Sequence, residues 1–404
     1  MLDLSVEAAL ERILAGCHPL DATEVPISAA AGCVLAHDVT APHSLPPFPN
    51  SGMDGFAVQV ADLAGASQQQ PVVLPVVGMV QAGDTATAHV APGTAVRIMT
   101  GALLPDGAEA VVPLEDTEEL PDGRVAFKQP TPASRHVRPA GEDVAADTVA
   151  VPAGKLIRAP EIGLFCALGL RSVAVIRPPR VGIISTGDEL LDPHEELVPG
   201  KIRDANNLAL AACVAEYGAH PIPCGIARDT QEALQAKITE ALGAGADMIL
   251  TSAGASAGDY DVVSSFMRVS EMLEVWRVNL KPGRPLLYGK CGGAPLIGLP
   301  GNPASALIVA ELFVKPAIYR MRGLPYTAPA TVQAIVDTPQ KGSKRRHYVR
   351  AYVSREGHSY RATTRGIGRG SGSLSTLVRA NALLIIPEGT DEVAAGSTVE
   401  ALLL

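Results

Sequence analysis

The sequence predicts a multidomain α/β and β protein, and three observations carry that prediction. Residues 26 to about 145 hold short apolar runs separated by Pro, Gly and Asp turns at close spacing, which marks a β domain. From Val181 onward, strand-like apolar runs alternate with helical spacing, which implies a parallel-rich sheet with helices on both faces. After Pro325 the chain returns to short strands. A chain of 404 residues leaves room for several domains of roughly 150 residues each.

The elements follow in order. Met1 to Leu14 carries Asp3, Glu7 and Glu11 among apolar residues and reads as an amphipathic helix; lacking a basic leading segment, it does not read as a secretory signal. Val72–Val77, Ala95–Met99 and Ala110–Pro113 read as strands, and Val181–Ile184 as a strand buried on both faces. The spacing predicts a helix over Asn206–Tyr217 that stops at Gly218, and a second one capped by Thr230 and running through Leu242. Met248–Leu250 and Leu296–Leu299 are further apolar strands, and Asn302 followed by Pro303 opens another helix. The apolar run around Ala306 to Ile318 is broken by Glu311, Lys315 and Pro316, short of the ~18 residues that a membrane span needs. Tyr348–Val353 alternates as a strand.

Composition narrows the function. The net charge of −9 disfavours non-specific binding of nucleic acid. The six cysteines are scattered without a CxxC pair, so neither a disulfide framework nor a structural zinc site is indicated, and the expected compartment is the reducing cytoplasm. Charge is uneven along the chain: from residue 326 onward ten Lys/Arg face six Asp/Glu, against 23 and 36 in the remainder. A basic module on an acidic body fits an anionic ligand held between them, although Lys341, Lys344, Arg345 and Arg346 serve equally as solubilising charges on a hairpin.

In an open α/β sheet, ligands bind at the carboxyl ends of the strands. Four segments there combine small and acidic residues. They are Ser185-Thr186-Gly187-Asp188-Glu189, Arg228-Asp229-Thr230, the loop from Ser252 to Asp261, and Pro300-Gly301-Asn302-Pro303-Ala304-Ser305. The 252–258 loop, with Ser252, Gly254, Ser256 and Gly258, lets backbone N–H groups approach a phosphate, yet such loops are also plain turns. Asn302 and Ser305 stand where a helix N-terminus suits an anion. No P-loop and no dinucleotide-binding GxGxxG is present. Glu189, Asp229, Asp259 and Asp261 gather carboxylates at one sheet edge; beside an anionic ligand, each close like-charge pair costs on the order of 4 kcal/mol at ~4 Å. A divalent cation removes that conflict, and oxygen ligands with phosphate favour Mg²⁺. Lys281 and Arg284 sit in a Pro/Gly-stiffened segment with Arg277 four residues before Lys281. Asp54 lies in the glycine turn 50–56, while Thr100-Gly101 and Gly141-Glu142-Asp143 are ambiguous taken singly.

Taken together, these segments resemble the molybdopterin molybdenumtransferases, the MoeA/gephyrin family of molybdenum cofactor biosynthesis. The resemblance spans essentially the whole chain and rests on residues 47–57, 97–102, 141–144, 185–190, 281–285 and 298–305, which occur in family order. It implies four domains: residues 1–25 with 146–178, an inserted β domain at 26–145, a molybdopterin-binding α/β domain at 179–325, and a β-barrel-like domain at 326–404. It implies an elongated homodimer with the cleft between protomers, and a possible hand-over complex with a molybdopterin adenylyltransferase. The implied reaction hydrolyses adenylylated molybdopterin and inserts molybdate at the dithiolene, with Mg²⁺ and release of AMP.

Matched residue by residue, the resemblance puts Asp54, Thr100, Asp143, Glu189, Asp229, Asp261 and Lys281 on functional positions, with Glu189, Asp229 and Asp261 as metal ligands. Ser185, Thr186, Gly187, Ser252, Gly254, Ser256, Gly258, Arg277, Pro300, Asn302, Ser305, Arg138 and Ser373 are the binding candidates. Two positions depart from the family pattern: Ala253 stands where glycine is usual, and Arg277 where lysine is usual. A methyl at 253 narrows the backbone approach if that residue needs positive φ. Two rivals stay open: adenylylation of molybdopterin, which would release pyrophosphate from ATP, and a gephyrin-like scaffold without turnover.

Overall fold

The computed structural model describes residues 2–85, 88–253, 273–325, 330–368, 370 and 372–404. The chain forms two compact units, one of residues 25–31 and 37–173, the other of residues 1–24, 32–36 and 174–404.

In the first of these, six strands form one sheet in the order Thr117–Glu119, Arg124–Phe127, Val72–Val80, Ala95–Ile98, Gly55–Val58, Ala110–Pro113. Adjacent strands run antiparallel except Val72–Val80 with Ala95–Ile98. Phe56 and Phe127 meet edge to face at 6.2 Å and anchor a core completed by Val58, Leu63, Val112 and Val125. This packing fixes the strand that leaves the Asp54 turn.

The other unit holds a seven-stranded sheet in the order Leu2–Leu4, Leu273–Val278, Pro285–Cys291, Ala294–Leu299, Met248–Ser252, Arg180–Thr186, His220–Ala227. Only Pro285–Cys291 runs against the rest. Met248–Ser252 and Ala294–Leu299 are buried along their whole length, as expected of strands covered on both faces. Among the described residues, the helices beside this sheet include Val6–Ala15, Asn206–Glu216, Gln231–Gly243 and Pro303–Val309, the last continuing through a π turn at Ala310–Val314 into Lys315–Met321. Thr230 caps its helix by accepting from the Ala233 N–H at 3.2 Å, and Gly218, at φ +81°, ends the preceding one. The interruptions at Glu311, Lys315 and Pro316 do not stop the helical path: Lys315 Nζ pairs with Glu311 Oε1 at 2.5 Å, and Pro316 lies in a first turn.

One expectation is corrected. Leu2–Leu4 is a strand, parallel to Trp276–Val278, and the helix starts only at Val6, where Ser5 accepts from the Ala8 N–H at 3.1 Å. The alternation Leu2-Asp3-Leu4 suits a sheet edge, and that partner, some 270 residues away, outweighs one more helical turn.

The C-terminal part closes a five-stranded barrel: Arg346–Glu356, Ser359–Thr363, Thr331–Val336, Thr398–Leu403 and Ala382–Ile386, which pairs back with the first. The short strand Leu280–Lys281 joins its rim beside Arg346 and His347. Among the described residues, no helix is long and apolar enough to cross a membrane.

Candidate functional site

The carboxyl ends of the sheet strands border a cavity of about 570 Å³. Thr186, Glu189, Ser252, Lys281, Pro300, Asn302 and Ser305, all expected from the sequence, line it. Ser185 and Ser252 lie buried beneath, Ser252 Oγ donating to Ser185 Oγ at 3.1 Å, which ties two neighbouring strand ends. Gly187 donates its N–H to Ala227 O at 3.2 Å, which bends the chain so that the Glu189 carboxylate folds over Gly187.

Asp229 is placed differently from Glu189. Its Oδ2 accepts from the Asp188 N–H at 3.1 Å, while Asp188 Oδ1 accepts from the Asp229 N–H at 3.3 Å. Lys201 and Arg228 close over this pair through Asp188 O, at 2.5 and 3.3 Å. Asp229 is not among the residues lining the cavity. Gly254, Ser256, Gly258, Asp259 and Asp261 lie outside the described residues. Arg277 is exposed on its strand, in register with Asp3, and does not line the cavity.

Lys281 also borders a second, smaller cavity of about 130 Å³ with Lys341, His347 and Arg350. Burial and the neighbouring cations, Lys281 foremost, push the His347 imidazole below its usual range, so it adds no charge near neutral pH. Arg345 lines the larger cavity and donates to Leu280 O at 3.1 Å. Arg350, nearly buried, donates to Gly370 O at 3.0 Å and Thr376 Oγ1 at 3.1 Å, shaping the turn that carries Ser373. A side chain at Gly372 would meet Asn302 Oδ1 at 3.5 Å, so this turn abuts the 300–305 loop. The cations of the larger cavity are Arg203, Lys281 and Arg345, and those of the smaller one Lys281, Lys341 and Arg350, so the C-terminal part contributes about as many as the α/β part. Arg350 and His347 were not singled out by sequence reasoning; the basic excess after residue 326 was their only signal.

In the other unit, Asp54 and Thr100 come together: Asp54 Oδ1 accepts from Thr100 N–H at 2.7 Å and from its hydroxyl at 2.6 Å. These two bonds, the hydroxyl first, hold the exposed Asp54 carboxyl below its usual range. Arg138 pairs with Asn50 in a two-stranded ribbon, its Nε 3.6 Å from the place a side chain at Gly52 would occupy. Asp143 donates its N–H to Leu45 O at 2.9 Å and leaves its side chain exposed. Thr100→Val should raise the Asp54 pKa towards the ordinary carboxylate value. Because the folded value is depressed, the interaction is complete above the ordinary pKa and is lost as pH falls through the depressed one. A carboxyl-detected NMR titration reads this directly, and an unmoved Asp54 would remove Thr100 as the cause.

Comparisons with known proteins fit this arrangement. Residues 4–169 match the model described as the MoeA N-terminal region (domain I and II), 182–320 a probable molybdopterin binding domain, and 335–404 the MoeA C-terminal region (domain IV). The chain is 38% identical over 405 residues to molybdopterin molybdenumtransferase 2 of Mycobacterium tuberculosis, covering 98% of this chain and 97% of that one. It is 35% identical to the molybdopterin molybdenumtransferase of Bacillus subtilis, over 92% and 87% of the two chains. A crystal structure of a molybdopterin biosynthesis MoeA protein from Pyrococcus horikoshii superposes with a TM-score of 0.85 at 28% identity, covering 100% of both chains.

Proposed function

The chain belongs to the MoeA family, and from that premise we propose that it is a molybdopterin molybdenumtransferase. It takes adenylylated molybdopterin and molybdate, places the metal at the dithiolene and releases AMP. The observation that carries this reading is the two-sided cavity: hydroxyl-bearing loops and Glu189 on the sheet side, Lys281 and Arg345 on the other. Such a surface can bind an anionic phosphate and an oxyanion together, each met by fixed donors.

The donor set also fits Mg²⁺. Glu189 borders the cavity with a hard carboxylate oxygen, whereas Asp229 at the adjacent strand end would first have to release the Asp188 N–H; Mg²⁺ commonly takes about one or two protein carboxylates together with substrate phosphates. No group of three or more His, Cys, Asp or Glu side chains able to hold a metal occurs among the described residues, so phosphate and water oxygens would have to complete the set; Asp261, the third expected ligand, lies outside the described residues. The ion would neutralise the phosphate charge that these carboxylates otherwise repel. Lys281 holds oxyanion or phosphate oxygens, with the neutral His347 beside it taking no share of the charge. Ser305 orients phosphate through its hydroxyl, while Ser252, whose O–H is given to Ser185, holds the strand end beneath it. Asp54, Thr100, Asp143 and Arg138 serve the same reaction from the β unit, Thr100 keeping Asp54 ionised. The four-domain division, homodimerisation, cytoplasmic location and hand-over from an adenylyltransferase belong to the same proposal.

The test is to incubate the chain with adenylylated molybdopterin, molybdate or tungstate, and Mg²⁺ while following AMP. Oxyanion-stimulated AMP release that stops on chelation with EDTA is the expected result. Pyrophosphate released from ATP and free molybdopterin would favour adenylylation instead, and a folded chain with neither activity would sink the enzymatic reading.

A further inference from the structure

Two residues meet the Gly301 peptide, Asn206, which no motif identified, and Ala253, which departs from the family pattern. On one side, Asn206 Nδ2 donates to Gly301 O at 2.9 Å. Asn206 opens the helix Asn206–Glu216, is 8% exposed, and is anchored in turn because its N–H donates to Asp204 Oδ1 at 3.0 Å. Its own Oδ1 is buried without a hydrogen-bond partner among the described residues. An orphaned buried acceptor is a cost that an apolar residue would avoid, so the bond made by the other end of the carboxamide carries the weight at this position.

On the other side stands Ala253, with φ at +75°. An L-residue adopts that conformation only against steric strain, which glycine would remove. Its methyl lies against Gly301: a side chain built there would meet Ala253 Cβ at 3.0 Å. Gly301 has no positive φ to explain its identity, and the close approach of Ala253 leaves little room for a side chain there. Ala253 is itself held by its N–H donating to Leu299 O at 3.2 Å. Both Ala253 and Asn206 border the cavity that Pro300, Asn302 and Ser305 also line.

We propose that Asn206 and Ala253 are positioning residues that together fix the Gly301 peptide and so set how the 300–305 loop meets the anionic part of the substrate. The proposal rests on the reaction described above for its substrate, but not for the clamp itself. Loss of the Asn206 tie frees the loop before substrate arrives, and the substrate must then order it. The effect falls on binding more than on the chemical step.

Two variants of the full-length chain test this. In Asn206→Ala, amide hydrogen exchange over residues 299–306 should quicken without substrate; KM for adenylylated molybdopterin should rise roughly fivefold to tenfold while kcat stays within about twofold. In Ala253→Gly, thermal stability should hold or rise because the strained φ is relaxed, yet exchange over the same residues should quicken and KM should rise. A purely structural role predicts the same gain in stability but with slower or unchanged exchange and unchanged or lower KM. Unchanged exchange in both variants overturns the clamp, as does quickened exchange with unchanged KM. If the wild-type chain releases no AMP, the proposed reaction fails, and the exchange measurement alone still decides the clamp.

Discussion

Lys281→Ala is expected to lower AMP release by about 10²–10³-fold at saturating substrate, the range seen when one fixed stabiliser of developing charge is removed. The lysine is the group shared by both cavities, between the strand-end loops and the barrel residues His347 and Arg350. Its side chain is only partly buried and sits at a barrel rim, so its loss leaves neither a core void nor a broken ladder. The melting temperature should therefore stay within about 2 °C of wild type. Lys281→Arg should recover only part of the rate, because a planar fork replaces a compact point charge. AMP release by the alanine variant within threefold of wild type would take Lys281 out of the reaction.

The second large effect is structural. Gly55→Ala should destabilise the unit of residues 25–31 and 37–173 by about 3 kcal/mol, at the upper end for overpacking. A methyl on Gly55 would run into the Val112 carbonyl, with its carbon 2.8 Å away and Pro113 Cα at 3.0 Å. Both obstacles are backbone, in a strand that pairs with Gly55–Val58 across its whole length, so no side chain can swing aside. The strand must shift, and Asp54, the residue before Gly55, shifts with it. We expect faster proteolysis confined to this unit in the intact chain, and weaker Asp54–Thr100 coupling in the same NMR titration. Wild-type protease resistance would show that the sheet accommodates the methyl.

Much of the fold was legible because its signals are local. Thr230, Gly218 and the all-apolar runs Met248–Leu250 and Leu296–Leu299 each declare an element within a few residues. Leu2–Leu4 was not legible, since its strand character depends on Trp276–Val278. The site divides in the same way. The loops at 185–189 and 300–305 carry recognisable residue patterns and do line the cavity. Asp54 and Thr100, each ambiguous alone, are joined by bonds spanning 46 positions that no spacing rule reveals. Asn206 escaped notice because a buried asparagine at a helix start looks like ordinary capping; only the Gly301 carbonyl gives it another meaning. The sequence could pose the Ala253 question but not answer it, because φ depends on the surrounding loops.

The chain leaves the seven-stranded sheet at Val278 and enters the barrel rim at Leu280, with Asn279 alone between them. Asn279 is pinned as well, donating to Leu4 O at 2.8 Å and accepting from the Arg346 N–H at 3.1 Å. One residue spans at most about 3.6 Å, so the joint has no slack. The lysine that follows is thus geared to the barrel: if the C-terminal body pivots by a few degrees, the ammonium group is towed with it across the mouth of the cavity.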